Sequence, residues 1–283
     1  MPNIYFPYLN LKFYIDPIAF ELFGLPVYWY GIILTSGIIL GTLLAMQIAK
    51  KEGLNPDLII DFILYDIIFA LLGARTYYVL FNWDYYKDHW VEIFNLRQGG
   101  IAIYGAVLAS IVVAIIFTRA KKINFLQFAD VAVFGLTLGQ IIGRYGNFVN
   151  MEAFGDYTNS KWAMRLLKSQ AKPPFSENVL QNIQSAFGAE YIQVHPTFFY
   201  ESTWNVVLLI LLFVLRKHKK YHGQLFFMYL IGYGIGRYWV EGLRTDQLLL
   251  PILHFPASQL VAILSIIMGI IGIIMCRKSD KTA

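Results

Sequence analysis

Seven long apolar runs constrain this chain more than any other feature of its sequence. They lie near 26–49, 58–81, 99–118, 125–149, 196–215, 224–243 and 256–276. Each approaches the roughly 20 apolar residues that a helix needs to cross a hydrocarbon core. Hydrophobic residues make up 57% of the 283 residues and charged residues only 14%, with a mean hydropathy of +0.53. Roughly a quarter of a soluble domain is charged, so a soluble globular protein is excluded.

The net charge of +5 does not point to nucleic acid, because of where the basic residues sit. Lys50 and Lys51 follow the first run, and Arg119, Lys121 and Lys122 follow the third. Arg216, Lys217, Lys219 and Lys220 follow the fifth, and Arg277, Lys278 and Lys281 follow the seventh. These are alternate ends of the runs. Because cytoplasmic loops are enriched in Lys and Arg, the pattern predicts an all-α polytopic protein of seven transmembrane helices. The N-terminus is outside and the C-terminus cytoplasmic. Residues 1–25 form an outer interfacial segment, 26–150 the first four spans and 151–195 a small extracytoplasmic head. Residues 196–276 form the last three spans and 277–283 a cytoplasmic tail. Within the head, 161–170 reads as a short basic amphipathic helix and 177–187 as a second helix. The first residues, MPNIYFPYLN, lack a basic n-region, so no cleaved signal peptide is expected. The single cysteine, Cys276, excludes an internal disulfide.

Glycines recur every four residues as Gly135, Gly139 and Gly143, as Gly37 and Gly41, and as Gly232 and Gly236. Small residues at this spacing let helix backbones approach closely in lipid. Gly146 and Gly155 continue the series, and an irregular turn is expected after Arg144.

Three arginines, Arg75, Arg144 and Arg237, fall inside or at the edges of apolar runs. Each costs about 2.5–3.5 kcal/mol at the centre of a span, so each needs a counter-charge, water or an anionic ligand. Arg237 has Glu241 four residues on, and Arg244 extends the same helix face. Arg144 is followed by Asn147, Asn150 and Glu152. Neither Arg144 nor Arg75 has an acid three or four residues away, so their partners come from another helix or from outside the protein. Arg144 and Arg237 are expected at the same, outer side of the membrane. Two guanidiniums with amides beside them suit a phosphate, which arginine grips in a planar two-pronged fashion. In a bilayer that is a phospholipid headgroup. His195 and Glu201 flank the outer start of the fifth run, and Tyr30 opens the first. A headgroup enzyme and a transporter for an anionic solute both remain open on these residues. No metal cluster or nucleotide loop is present in the sequence, and no cofactor is expected.

The segment GRYGNFVNMEAFG, residues 143–155, resembles the signature G-R-x-G-N-F-x-N-x-E-x-x-G of prolipoprotein diacylglyceryl transferases. The likeness extends through WYG at 29–31, GARTYYVLFNW at 73–83, GGIAIYG at 99–105, HPTFFYE at 195–201 and YGIGRYWVEGLR at 233–244. It implies transfer of the sn-1,2-diacylglyceryl group from phosphatidylglycerol to the lipobox cysteine of a preprolipoprotein signal peptide. A thioether forms and glycerol 1-phosphate leaves, in a bacterial inner membrane. By the same resemblance Arg144 and Arg237 are the essential arginines, supported by Asn147, Glu152, Gly155, Tyr30 and Glu241. One position departs. Many members carry histidine before the last glycine of the third-span motif, where this chain has Tyr104, so a histidine base there is excluded. Tyr104 is expected to position the lipid instead.

Overall fold

The computed structural model describes residues 1–95, 99–250 and 255–279. The chain is mostly helical. Its long helices are α1 (Trp29–Lys51), α2 (Asp57–Phe81), α4 (Ile103–Ala120), α5 (Phe125–Val149), α7 (Thr197–Arg216), α8 (Gln224–Glu241) and α9 (Ala257–Ser279). Two short helices, α3 (Trp83–Tyr86) and α6 (Glu177–Gln181), and a 3-10 turn at Trp90–Phe94 lie between them. Each expected apolar run therefore coincides with a helix to within a few residues. Among the described residues, five helices are long and apolar enough to cross a membrane: α1, α4, α5, α7 and α9. This is a polytopic membrane protein. Helix α2 is long enough but carries Asp57, Asp61, Asp66 and Arg75. Helix α8 has only 18 residues and includes Arg237 and Glu241. The end of the segment expected as a cytoplasmic tail, 280–283, lies outside the described residues.

The chain divides into two compact units, Met1–Gly41 with Val133–Ala283, and Thr42–Ala132. In the first, the small-residue expectation has a direct physical basis. A Cβ built on Gly41 would lie 2.6 Å from the Gly135 carbonyl oxygen, and one on Gly37 would lie 3.4 Å from that of Gly139. Nothing larger than hydrogen fits at Gly41 without moving a backbone. Helix α5 runs unbroken to Val149, and the irregular turn expected past Arg144 follows it, with Met151 and Ala153 at positive φ before Gly155.

The all-α expectation fails in the head. Strands β1 (Ile4–Phe6), β2 (Leu11–Phe13), β5 (Met164–Leu167), β6 (Gln184–Ala186) and β7 (Ala189–Val194) form an antiparallel sheet in the order β2-β1-β5-β7-β6. A separate hairpin pairs β3 (Ile18–Leu22) with β4 (Leu25–Tyr28). The segment 161–170 thus holds the strand Met164–Leu167 between turns, not a helix. Its basic residues have a helical spacing, but Met164 and Leu166 alternate into the core with Ile4, Phe154, Ile192 and Val194. A period of two beats a period of 3.6 once a sheet partner is available. The helix expected over 177–187 stops at Gln181. Ser176 caps its start by accepting from the Val179 N–H at 3.1 Å, and the remainder enters β6. There Phe187 and Gly188, both at positive φ, turn the chain into β7.

The second unit pairs α2 with α4. Lys121 and Asp61 form an ion pair at 2.7 Å. Arg75, 7% exposed, solves its burial with carbonyls of its own unit. All five of its N–H groups are used, towards the backbone oxygens of Glu92, Ile93, Asn95, Gly99 and Gly100. No acid or external anion is needed. Tyr104 begins α4, half-buried, with its ring centroid 6.5 Å from that of Tyr77.

Candidate functional site

Within the first unit, three helices bring their charged residues to one place. Arg144 comes from the last turns of α5, Glu201 from the start of α7, and Arg237 with Glu241 from the end of α8. Glu201, whose side chain is 2% exposed, is shared. One of its oxygens meets Arg144 Nη2 at 2.7 Å and the other meets Arg237 Nη1 at 3.2 Å. Arg237 Nη2 also meets Glu241 at 2.6 Å and lies 3.4 Å from Ser258 Oγ. Arg244 grips Asp246 with two prongs, Nε at 2.8 Å and Nη2 at 2.7 Å, and lies 3.9 Å from Glu241.

The polar chain continues past Arg144. Its Nη1 donates to Asn147 at 3.4 Å, and the amides of Asn147 and Asn150 donate to Glu152 at 3.1 and 3.2 Å. Lys172 closes on the second Glu152 oxygen at 2.7 Å. Four cations (Lys172, Arg144, Arg237, Arg244) therefore alternate with four carboxylates (Glu152, Glu201, Glu241, Asp246). Burial of so much charge is tolerable only with this degree of pairing. Tyr30 packs one turn away, where a Cβ on Gly146 would lie 2.9 Å from its ring.

Gly155 holds three segments together. Its N–H donates to the His195 carbonyl at 3.0 Å, the Asp156 N–H donates to Leu243 O at 2.8 Å, and His195 N–H returns to Asp156 O at 3.0 Å. A Cβ there would lie 2.7 Å from His195 Cβ and 2.8 Å from Leu243 O. The glycine is required by this crossing, which ties the end of the 143–155 signature to HPTFFYE and to the segment after α8. His195 contributes its backbone to the crossing, and its Nδ1 lies 3.3 Å from Tyr200 OH. Burial pushes its imidazole below the ordinary value, against the pull of Asp156. Burial also opposes ionisation of Asp156, but hydrogen bonds from Ser176, the Tyr157 N–H and Asn178 outweigh it and hold that carboxyl below the usual range.

Sequence reasoning flagged Glu201 as a flanking residue but not as the counter-ion of both arginines. It missed Lys172, Asp246 and Ser258. The Arg244-x-Asp246 spacing was a usable signal for Asp246. For Lys172 and Ser258, which arrive through tertiary structure, there was none.

A family model described as Prolipoprotein diacylglyceryl transferase matches residues 17–275, which include every residue of this charged chain. The chain belongs to the prolipoprotein diacylglyceryl transferase family. Three relatives carry the name Phosphatidylglycerol--prolipoprotein diacylglyceryl transferase. That of Clostridioides difficile is 40% identical over 266 residues, 94% of this chain and 97% of its own. That of Finegoldia magna is 40% identical over 264 residues, 93% and 96%, and that of Lysinibacillus sphaericus 41% over 277 residues, 95% and 95%. As a member of the diacylglyceryl transferase family, the chain carries its matched region across both compact units.

Proposed function

We propose that this protein transfers the sn-1,2-diacylglyceryl group from phosphatidylglycerol to the lipobox cysteine thiol of preprolipoproteins. This is the first step of lipoprotein maturation in the bacterial cytoplasmic membrane. Family membership and the names of relatives at 40–41% identity support the reaction. The observation that supports the site is the buried carboxylate of Glu201 bridging two guanidiniums. That both guanidiniums hold one anionic group supports reading Arg144 and Arg237 as the phosphate-binding pair.

The chemistry follows from charge. The thiol sulfur attacks the glycerol carbon that bears the phosphate. The S–C bond forms, the C–O bond breaks, the thiol proton is released and glycerol 1-phosphate departs. The phosphodiester carries one negative charge and the departing monoester up to two, so the charge facing the arginines grows through the transition state. Donors already oriented in a water-poor site stabilise that growing charge more than the ground state. The nucleophile comes with the substrate, so this chain needs no catalytic cysteine. Tyr104 positions the lipid by a hydrogen bond from its phenol O–H. In this reading α2 and α8 cross the membrane with the other five helices, the N-terminus and the arginines lie toward the outer face, and the C-terminus is cytoplasmic, as the alternation of Lys and Arg supports.

Purified protein with acyl-labelled phosphatidylglycerol and a lipobox peptide provides the test. Label should appear on the peptide and depend on its cysteine. Absence of peptide labelling by folded protein would overturn the reaction.

A further inference from the structure

Beside the arginine pair, and joined to it through Asn147, lies a cavity of about 290 Å³. Its polar wall consists of Asn147, Glu152, Lys172, Arg244, Thr245 and Asp246. The cavity holds two cations and two carboxylates, and so has no net charge. Its hydrogen-bonding capacity is uneven. The oxygens of Glu152 already accept from Asn147, Asn150 and Lys172. The Asp246 carboxylate accepts two bonds from Arg244 and one from its own backbone N–H, and a carboxylate has room for about four. Lys172 uses one of its three N–H donors on Glu152. The carboxyl of Asp246 stays ionised. Burial opposes this, but the hydrogen bonds and charge of Arg244 outweigh burial and hold its pKa below the usual range.

A group entering this cavity therefore meets spare acceptors on Asp246 and spare donors on Lys172, without net charge. A neutral vicinal diol both donates and accepts, and matches the wall. We propose that this cavity is the subsite for the terminal glycerol of phosphatidylglycerol, with Asp246 accepting from its hydroxyls. The proposal rests on the reading that the adjoining phosphate sits on Arg144 and Arg237. It makes Asp246 the residue that favours this lipid over a phospholipid whose headgroup lacks hydroxyls.

The test compares two donor lipids in the peptide assay, phosphatidylglycerol and phosphatidylpropanol. They share the phosphate and diacylglyceryl group, but the second has no headgroup hydroxyls. Hydrogen bonds to a charged acceptor make the wild-type kcat/KM about tenfold or more higher with phosphatidylglycerol. Asp246→Asn brings that ratio to about one. A wild-type protein that uses both lipids equally well overturns the proposal without recourse to any variant. So does an Asp246→Asn protein that slows with both lipids while keeping the wild-type ratio, the result expected of a merely structural residue. A wild-type protein that transfers from neither lipid overturns the reaction itself, and the subsite with it.

Discussion

Replacing Glu201 by glutamine keeps the shape of the side chain and removes the charge that Arg144 and Arg237 share. Two unit charges 2.7 Å apart interact by about 6 kcal/mol at an effective dielectric of about 20. The 3.2 Å contact to Arg237 contributes about 5 kcal/mol on the same basis. Desolvation offsets much of this, and removing one partner of a buried pair costs about 3–5 kcal/mol net. Arg237 retains Glu241 at 2.6 Å, so the loss falls mainly on Arg144. At about 2–4 °C per kcal/mol, the lipid-free Glu201→Gln protein should melt about 10 °C or more below wild type. Phosphatidylglycerol should then raise the melting temperature of the variant more than that of wild type. Its phosphodiester restores the missing charge, and in wild type it must compete with Glu201. Transfer should slow, because the ground-state lipid gains stabilisation that wild type reserves for the dianion. Thermal unfolding in detergent, with and without phosphatidylglycerol, measures both effects. A variant that melts within about 2 °C of wild type and shows the same lipid-induced shift would refute the shared counter-ion argument.

Arg144→Lys and Arg237→Lys should each lose nearly all transfer while remaining inserted, because an ammonium cannot reproduce a two-pronged contact; near-normal turnover in both would remove the bidentate phosphate role. Tyr104→Phe should lose one hydrogen bond, about 0.5–1.5 kcal/mol or up to about 3 with a charged acceptor, and keep the pH profile of turnover. A folded Tyr104→Phe protein inactive at every pH would instead point to proton transfer. In a Cys276→Ser background, single-cysteine labelling should find residue 170 outside the cell and residue 219 inside; reversed accessibility of both would overturn the orientation.

Helices were legible in the sequence because each depends on a local apolar run, and their ends fell within a few residues of expectation. Arg144 and Arg237 were legible because a guanidinium in an apolar run has to be explained. The head was not legible in the same way. Residues 161–170 carry a helical spacing of basic groups, and only pairing of β5 with β1 and β7 makes Met164–Leu167 a strand. The N-terminal residues give no local sign that they will cross to β5, a pairing reinforced by Tyr191 OH donating to Pro2 O at 2.6 Å. Arg75 was misleading for a related reason. Its partners are backbone carbonyls, which every residue possesses, so no side-chain pattern announces them. Glu201 was visible as an acid near a span, but its position between two arginines is decided by how α5, α7 and α8 come together.

The crossing at Gly155 has a consequence for the order of biosynthesis. Its hydrogen-bond partners at residues 195 and 243 are made long after residue 155 itself. At about 5–20 residues per second, Leu243 emerges on the order of ten seconds after Gly155. During that interval Arg144 is already in the membrane, first without Glu201 and then without the Arg237 that shares it. A ribosome stalled before the end of α8 would leave several helices inserted and the charged chain open. Such an intermediate should be short-lived under membrane quality control, because its unneutralised arginine is costly to hold in lipid. Completion of this crossing thus separates a charged chain with its counter-ions in place from an inserted but catalytically empty bundle.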